Sequence, residues 1–142
     1  MTDTVAASAD VAASPHDVFE FVRRPANHAE ISGDGSVQAA NKGPEVLGAG
    51  DRFGMSMKVG VPYRITSKVV EFEPDRRIAW CHLGGHRWRW EMEPASAGAR
   101  VTLTYDQSTA KFPPALRIMG YPERHRENVE RSVANVAAHF GT

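Results

Sequence analysis

Hydrophobic and polar side chains alternate along the middle of the chain, which is the pattern of β-strands. In residues 51–59, Phe53, Met55 and Met57 fall on one side of an extended strand, because successive side chains point to opposite faces. Short turns rich in glycine and proline bound this stretch and the others like it. Further strands are predicted near residue 37 and at 63–70, 78–83, 86–93 and 101–106. Consecutive strands joined by such short turns must be antiparallel.

The beginning of the chain predicts a strand followed by two short helices. Residues 4–12 alternate weakly between apolar and polar side chains. Ser14 can cap a helix N-terminus, Pro15 suits the first helical position, and Asp17 stands where a capping box has its acid. A second short helix is expected at 25–31, after a proline ends the first.

A long amphipathic helix is predicted at the C-terminal end. It begins at Pro122, and its apolar residues lie four, three and four positions apart: Val129, Val133, Val136 and Phe140. The apolar stretch 112–119 predicts a short helical lead-in. The order of elements predicts one α+β domain over residues 1–142, in which a single helix covers a curved, seven-stranded antiparallel sheet.

One helix cannot cover the whole concave side of such a sheet. A helix with its side chains is about 10 Å across, so space remains between the helix and the strands. Aromatic and methionine side chains with a few polar tips are the usual lining of a small-molecule pocket. We expect ten residues to line this cavity: Phe53, Met55, Met57, Tyr63, Ile65, Trp88, Trp90, Tyr105, Met119 and Val133.

Several segments of the chain resemble one known family, and they occur in the family's order. They read VAASPHDVF at 11–19, GAGDRF at 48–53, EPDRRIAW at 73–80, WRWEMEP at 88–94 and GARVT at 98–102. On these residues the chain resembles the polyketide cyclase/dehydrase-type branch of the START-like (SRPBCC) superfamily. The resemblance implies the helix-grip fold and a deep hydrophobic cavity beneath the last helix. It also implies binding or conversion of lipids, polyketides, hormones or other apolar molecules.

The glycine turn at 84–85 leaves open which face of the sheet Trp80 occupies. A two-residue turn would place Trp80 with Arg89, on the side away from the cavity. A three-residue loop with a bulge would instead place Trp80 on the same face as Trp88 and Trp90. The sequence is compatible with both alternatives.

Composition narrows the choice of partner and compartment. Lys+Arg and Asp+Glu number 17 each, and this balance argues against nucleic-acid binding, which usually requires a basic excess. The single cysteine, Cys81, excludes an internal disulfide framework and suits a reducing cytoplasm. The N-terminus lacks a signal-peptide pattern, and no apolar run is long enough for stable membrane insertion. We therefore expect a cytoplasmic protein.

Groups that could perform chemistry are few. Tyr63, His82, His86 and Tyr105 are available as acids or bases. His82 and His86 flank the glycine turn, but no nearby Cys, Asp or Glu has a spacing that would complete a metal site. We expect no metal and no cofactor, and favour binding of a small hydrophobic molecule over a polyketide cyclase/aromatase or dehydratase. A third hypothesis is a regulatory or toxin-neutralising module that binds a protein partner through the Arg-rich strand at 87–91.

Overall fold

The computed structural model describes residues 4–33, 35, 37–59, 61–81, 86–106 and 121–141, with the backbone alone at 59 and 121–125. Its seven strands are β1 (Thr4–Val11), β2 (Val37–Lys42), β3 (Arg52–Val59), β4 (Val61–Glu73), β5 (Arg77–Cys81), β6 (Arg87–Ala95) and β7 (Gly98–Asp106). Its helices are α1 (Pro15–Val22), a short 3-10 helix (Pro25–Asn27), α2 (His28–Ile31) and α3 (Tyr121–Phe140).

The strands form one antiparallel sheet in the order β1-β7-β6-β5-β4-β3-β2. The first strand is therefore paired with the last, and β2 lies at the opposite edge. Together with two short helices after β1 and a long C-terminal helix, this arrangement is the predicted helix-grip fold. The predicted class, α+β with seven antiparallel strands, is confirmed.

The register between β5 and β6 determines where the tryptophans lie. Cys81 pairs with Arg87, so an odd number of residues, 82–86, separates the paired positions. Trp80 consequently pairs with Trp88 and shares a face with Trp88 and Trp90. The alternative with a two-residue turn, which would place Trp80 with Arg89, is wrong.

A β-bulge in β4 separates apolar and charged side chains. Val69 pairs with Trp80, but Glu71 pairs with Ala79, so the register shifts by one residue between them. Without this shift Glu71 would point to the same side as Val69. With it, Glu71 faces the convex side, and Phe72 takes the next concave position.

The helix α3 covers one side of the concave face. It packs mainly against β1 and β7, and it buries Val129, Val133 and Val136 of the predicted apolar stripe. Phe140 is partly buried, and its ring meets that of Phe21 on α1 at 5.5 Å. Neither α3 nor any shorter helix among the described residues has the length and apolar character that crossing a bilayer requires.

A chain of polar contacts joins α3 to the end of α2. The backbone N–H of Gly33 donates to Ser132 Oγ at 3.0 Å, and Ser132 lies 3.2 Å from Asn128 Oδ1, to which its hydroxyl donates. Asn135 Nδ2 donates to the carbonyl oxygen of Ile31 at 3.1 Å. These bonds determine how closely the long helix approaches the short one.

Because the two backbones approach so closely, we expect Gly33→Ala to destabilise the protein. An added Cβ would collide with the backbone oxygen of Asn128 and would lie 2.9 Å from Arg131 Cβ. Overpacking of this kind costs about 1–3 kcal/mol of the free energy of unfolding, which urea denaturation measures. Gly48→Ala is the control, because its Cβ would meet Asp51 Oδ2 at an ordinary 3.5 Å. Equal stabilities of the two variants would contradict the close approach.

Candidate functional site

Aromatic side chains form a row across the concave face of the sheet. From β7 outward, Tyr105 pairs with Trp88, and Trp88 pairs with Trp80. The rings of Trp88 and Tyr105 lie 4.8 Å apart. Tyr105 is buried, whereas Trp80 and Trp88 are only partly buried. The two tryptophans therefore keep accessible ring surface on the side of the sheet that faces α3.

The helix α2 adds a second group of rings at the β5 end of this row. The imidazole of His28 stacks on Trp80, with ring centroids 4.7 Å apart and planes inclined by 21°. Phe53 meets His28 and Trp80 edge-on, each at 5.6 Å. His28 was not predicted to contribute to the site, because a single helical turn offers no periodicity from which the direction of its side chains can be inferred.

His28 is an uncharged member of this wall at neutral pH. Its Nε2–H donates to the carbonyl oxygen of Val22 at 2.8 Å, and the side chain is buried. Burial lowers the pKa of His28 from 6.5 to about 4, because the charged imidazolium would lose its hydration. The ring therefore serves as an apolar surface.

Exposure along β4 shows where the concave side opens. The side chains of Val61 and Tyr63, near the β3–β4 turn, are 69% and 42% exposed. Ile65 is partly buried, and Ser67 and Val69 are 3% and 1% exposed. The concave side is therefore open toward the β3–β4 turn and closed toward α1 and α2.

Nine of the ten predicted lining residues belong to the described part of the chain, and Met119 lies outside it. Six of the nine are buried: Phe53, Met55, Met57, Trp90, Tyr105 and Val133. Ile65 and Trp88 are partly buried, and Tyr63 is exposed near the open end. That these residues line a ligand cavity stays a prediction.

Of the four candidate acids and bases, the structure brings two close together. The rings of His86 and Tyr105 lie 5.3 Å apart, although no partner for His86 was predicted from the sequence. Burial lowers the pKa of His86. Tyr63 lies six positions along β4 from Val69, about 20 Å from the aromatic row. His82 lies outside the described residues.

The Arg-rich strand faces the convex side, where carboxylates bind its arginines. Arg89 donates to both oxygens of Glu71, at 3.0 and 2.8 Å, and Arg87 donates to Glu71 at 2.8 Å. Arg89 also approaches Asp106 Oδ2 at 3.3 Å. The hydrogen bonds from Arg89, followed by the one from Arg87, lower the pKa of Glu71 to about 2. These arginines are thus neutralised within the sheet, which weighs against an Arg-rich surface for a protein partner.

A groove of about 650 Å³ also lies on the convex side, near the β4–β5 and β6–β7 turns. Its walls are mostly charged and include Glu73, Asp75, Arg76, Arg77, Glu91, Glu93 and Arg100. Such walls suit a hydrophobic molecule poorly, because they would lose hydration on contact. We therefore place the candidate site on the concave side.

Among the described residues, one group has its possible metal-ligating atoms within 4.8 Å of one another: His16, Glu20 and Asp75. His16 Nδ1–H donates to Asp75 at 2.8 Å, and this bond raises the pKa of His16. Glu20 accepts a hydrogen bond from Arg23 at 2.9 Å. Ion pairing on the protein surface accounts for these contacts, so we assign no metal to them.

Comparison with known sequences places the whole described chain in one family. Residues 2–141 match the model of the family described as polyketide cyclase/dehydrase and lipid transport. An uncharacterized protein of Mycobacterium tuberculosis strain H37Rv is 35% identical over 145 residues, which cover 96% of this chain. The chain spans 63% of the length of that curated relative.

Solved structures with similar folds share little sequence with this chain. The di-domain ARO/CYC StfQ from the steffimycin biosynthetic pathway has a TM-score of 0.71 at 18% identity, covering 97% of this chain and 50% of that one. A protein of Nitrosomonas europaea has a TM-score of 0.71 at 14% identity, and the match covers 95% of this chain and 92% of that one. An AHSA1-like protein from Aeromonas hydrophila has a TM-score of 0.60 at 16% identity, and the match covers 96% of this chain and 93% of that one. At these identities the likeness concerns the fold.

The buried neutral histidine predicts a loss of stability in mild acid. Below pH 6.5 the unfolded chain binds a proton at His28, whereas the folded protein does so only near pH 4. The contribution of His28 to stability is therefore complete above pH 6.5 and is lost toward pH 4, by on the order of 3 kcal/mol in full. We expect His28→Gln, which keeps a donor but cannot be protonated, to reduce this slope in urea denaturation series.

His86 contributes in the same direction as His28, since burial lowers its pKa as well. Glu71 acts in a different window, because its contribution is complete above pH 4.5 and is lost as the pH falls toward 2. If His28→Gln and wild type had the same slope between pH 6.5 and 4.5, the stability argument for His28 would fail.

Proposed function

The chain belongs to the polyketide cyclase/dehydrase and lipid transport family, and from that premise we propose that it binds a small hydrophobic molecule between the concave face of the sheet and α3. One observation carries the proposal: Trp80 and Trp88 are only partly buried, although both lie on the concave side. The part of each indole ring that stays accessible is unfavourable in water, and a ring-bearing ligand would cover it.

The chemistry of the concave wall supports binding over catalysis. A general acid or base works best when its pKa lies near the operating pH, and the pKa of His28 is about 4. Its Nε2–H is also occupied by the Val22 carbonyl. The carboxylate of Glu71 faces the opposite side of the sheet, where Arg87 and Arg89 bind it. The described concave wall therefore offers a ligand mainly apolar and aromatic surface.

A polyketide cyclase or aromatase is the second candidate. It is favoured by the contact between His86 and Tyr105, whose rings meet at 5.3 Å at the end of the aromatic row. In that case we expect cyclisation of a poly-β-ketone thioester, followed by absorbance, to fall at least tenfold in both His86→Asn and Tyr105→Phe. Wild-type protein that leaves the ketone's spontaneous cyclisation unchanged would contradict this candidate.

For the binding function, we expect one molecule of 1-anilinonaphthalene-8-sulfonate to bind per chain, with an increase in fluorescence. Trp88→Ala should weaken binding by about fivefold, because a lost aromatic pair is worth roughly 1 kcal/mol. Thermal unfolding of each variant establishes that it is folded before the titration.

Arg64→Ala is the matched control for this titration. Arg64 is exposed and points to the convex side of β4, so its removal should leave the affinity unchanged. The binding proposal would be overturned by a wild-type titration that shows no saturation. If Trp88→Ala bound the probe as tightly as wild type, the aromatic row would not belong to the binding site. Native mass spectrometry of the purified protein would then show whether a hydrophobic molecule is retained from the cell.

A further inference from the structure

The tip of the β3–β4 hairpin, residues 61–63, is apolar and exposed. Val61 and Tyr63 are the two large hydrophobic residues that the structure leaves exposed within its described ranges, at 69% and 42%. They lie two positions apart at the start of β4, so both point to the same face. Pro62, between them, is exposed as well. Apolar side chains therefore project into water at the end of this hairpin.

The convex face of the same hairpin is basic. Residues 52–68 contain four basic side chains and no acidic one. All four are exposed, and they occupy even-numbered positions, which alternation directs to the convex face: Arg52, Lys58, Arg64 and Lys68. On the neighbouring strand, the exposed Lys42 pairs with Gly54 and adds a fifth cation to this face.

These five cations are not neutralised within the described part of the chain, where none of their side chains forms an ion pair. Arg52 pairs with Lys68, so two like charges stand opposite each other on adjacent strands, which is unfavourable. The arginines of β6 differ in this respect, because Glu71 binds both Arg87 and Arg89. The hairpin therefore carries positive charge that an external anionic surface can complement.

Projecting apolar side chains beside unpaired cations suit the interface of an anionic bilayer. There the apolar groups leave water, an aromatic ring with a polar tip lies at the level of the headgroups, and cations bind lipid phosphates. An acidic protein would complement the cations too, but a stable protein contact covers about 800 Å² on each partner, which a hairpin tip of three residues does not offer.

We propose that the hairpin tip is a docking surface for membranes that contain anionic lipid. Val61 and Tyr63 enter the interface between water and lipid, and Lys58 and Arg64 bind lipid phosphates beside them. The inference is independent of the proposed function, because docking requires no molecule between the sheet and α3.

Distance from the tip ranks the cations of the convex face. Lys58 pairs with Pro62 in the tip, and Arg64 is the next cation along β4. Arg52 and Lys68 pair about 13 Å beyond Arg64, since a strand extends by about 3.3 Å per residue. That separation exceeds the screening length of about 8 Å at physiological ionic strength. Lys58 and Arg64 should therefore supply most of the attraction.

The test is co-sedimentation with vesicles of phosphatidylcholine and phosphatidylglycerol in equal amounts. We expect wild type to bind these vesicles, and to bind them more weakly in higher salt or when phosphatidylcholine is the only lipid. The double variant Lys58→Gln/Arg64→Gln should bind about 25-fold more weakly, because each cation near an anionic surface contributes about fivefold.

The matched control is Arg52→Gln/Lys68→Gln, which removes the same charge from the same face. It should weaken binding by about threefold at most, because both side chains lie far from the tip. Val61→Ser tests the apolar contact, and we expect it to bind about fivefold more weakly, since it removes apolar surface that would leave water. All the substituted residues are exposed, so thermal unfolding should show that each variant is folded.

Three results would overturn the inference. The first is a wild type that does not bind the mixed vesicles, and the second is an equal loss in the two double variants, since contact would then not be at the tip. The third is unchanged binding by Val61→Ser, which would leave charge alone as the cause and favour an acidic protein partner. Failure of the titration with 1-anilinonaphthalene-8-sulfonate would instead overturn the proposed function and leave this inference intact.

Discussion

The pairing of Cys81 with Arg87 is the constraint on which the rest of the structure depends. Side chains in a strand alternate between two faces, so a slip of one residue between β5 and β6 would exchange the faces of an entire strand. Trp80 would then leave the concave side, and His28 would lose the ring on which it stacks. The odd-numbered connection at 82–86 excludes that arrangement and keeps Trp80 beside Trp88.

The bulge in β4 places a charged group on the face of the sheet opposite the aromatic rings. It turns Glu71 toward the convex side, where Arg87 and Arg89 bind its carboxylate and hold its pKa near 2. A carboxylate left on the concave side would lie among aromatic rings, with a large loss of hydration. The sheet therefore presents rings and methionines on one face and paired charges on the other.

Much of this arrangement could be predicted from the sequence, because alternation in strands and the four-three-four spacing in α3 report directly on which residues share a face. The faces of Phe53, Trp88 and Trp90 followed from that rule. The face of Trp80 could not be predicted, because it depends on whether the number of residues between the paired positions of β5 and β6 is odd or even. The side to which Glu71 points could not be predicted either, because the alternation of apolar and polar residues does not reveal a single-residue bulge. The contribution of His28 depends on contacts of α2 with β3 and β5, which are distant from it in the sequence.

Together these features give a sheet whose concave face is largely aromatic and whose exposure increases toward the β3–β4 turn. We propose that a hydrophobic molecule occupies the space between this face of the sheet and α3. A crystal structure of the protein grown with 2-naphthol tests this claim most directly. We predict density for the naphthol rings against Trp80 and Trp88. Density in the charged convex groove, or a concave side filled by side chains, would contradict the account.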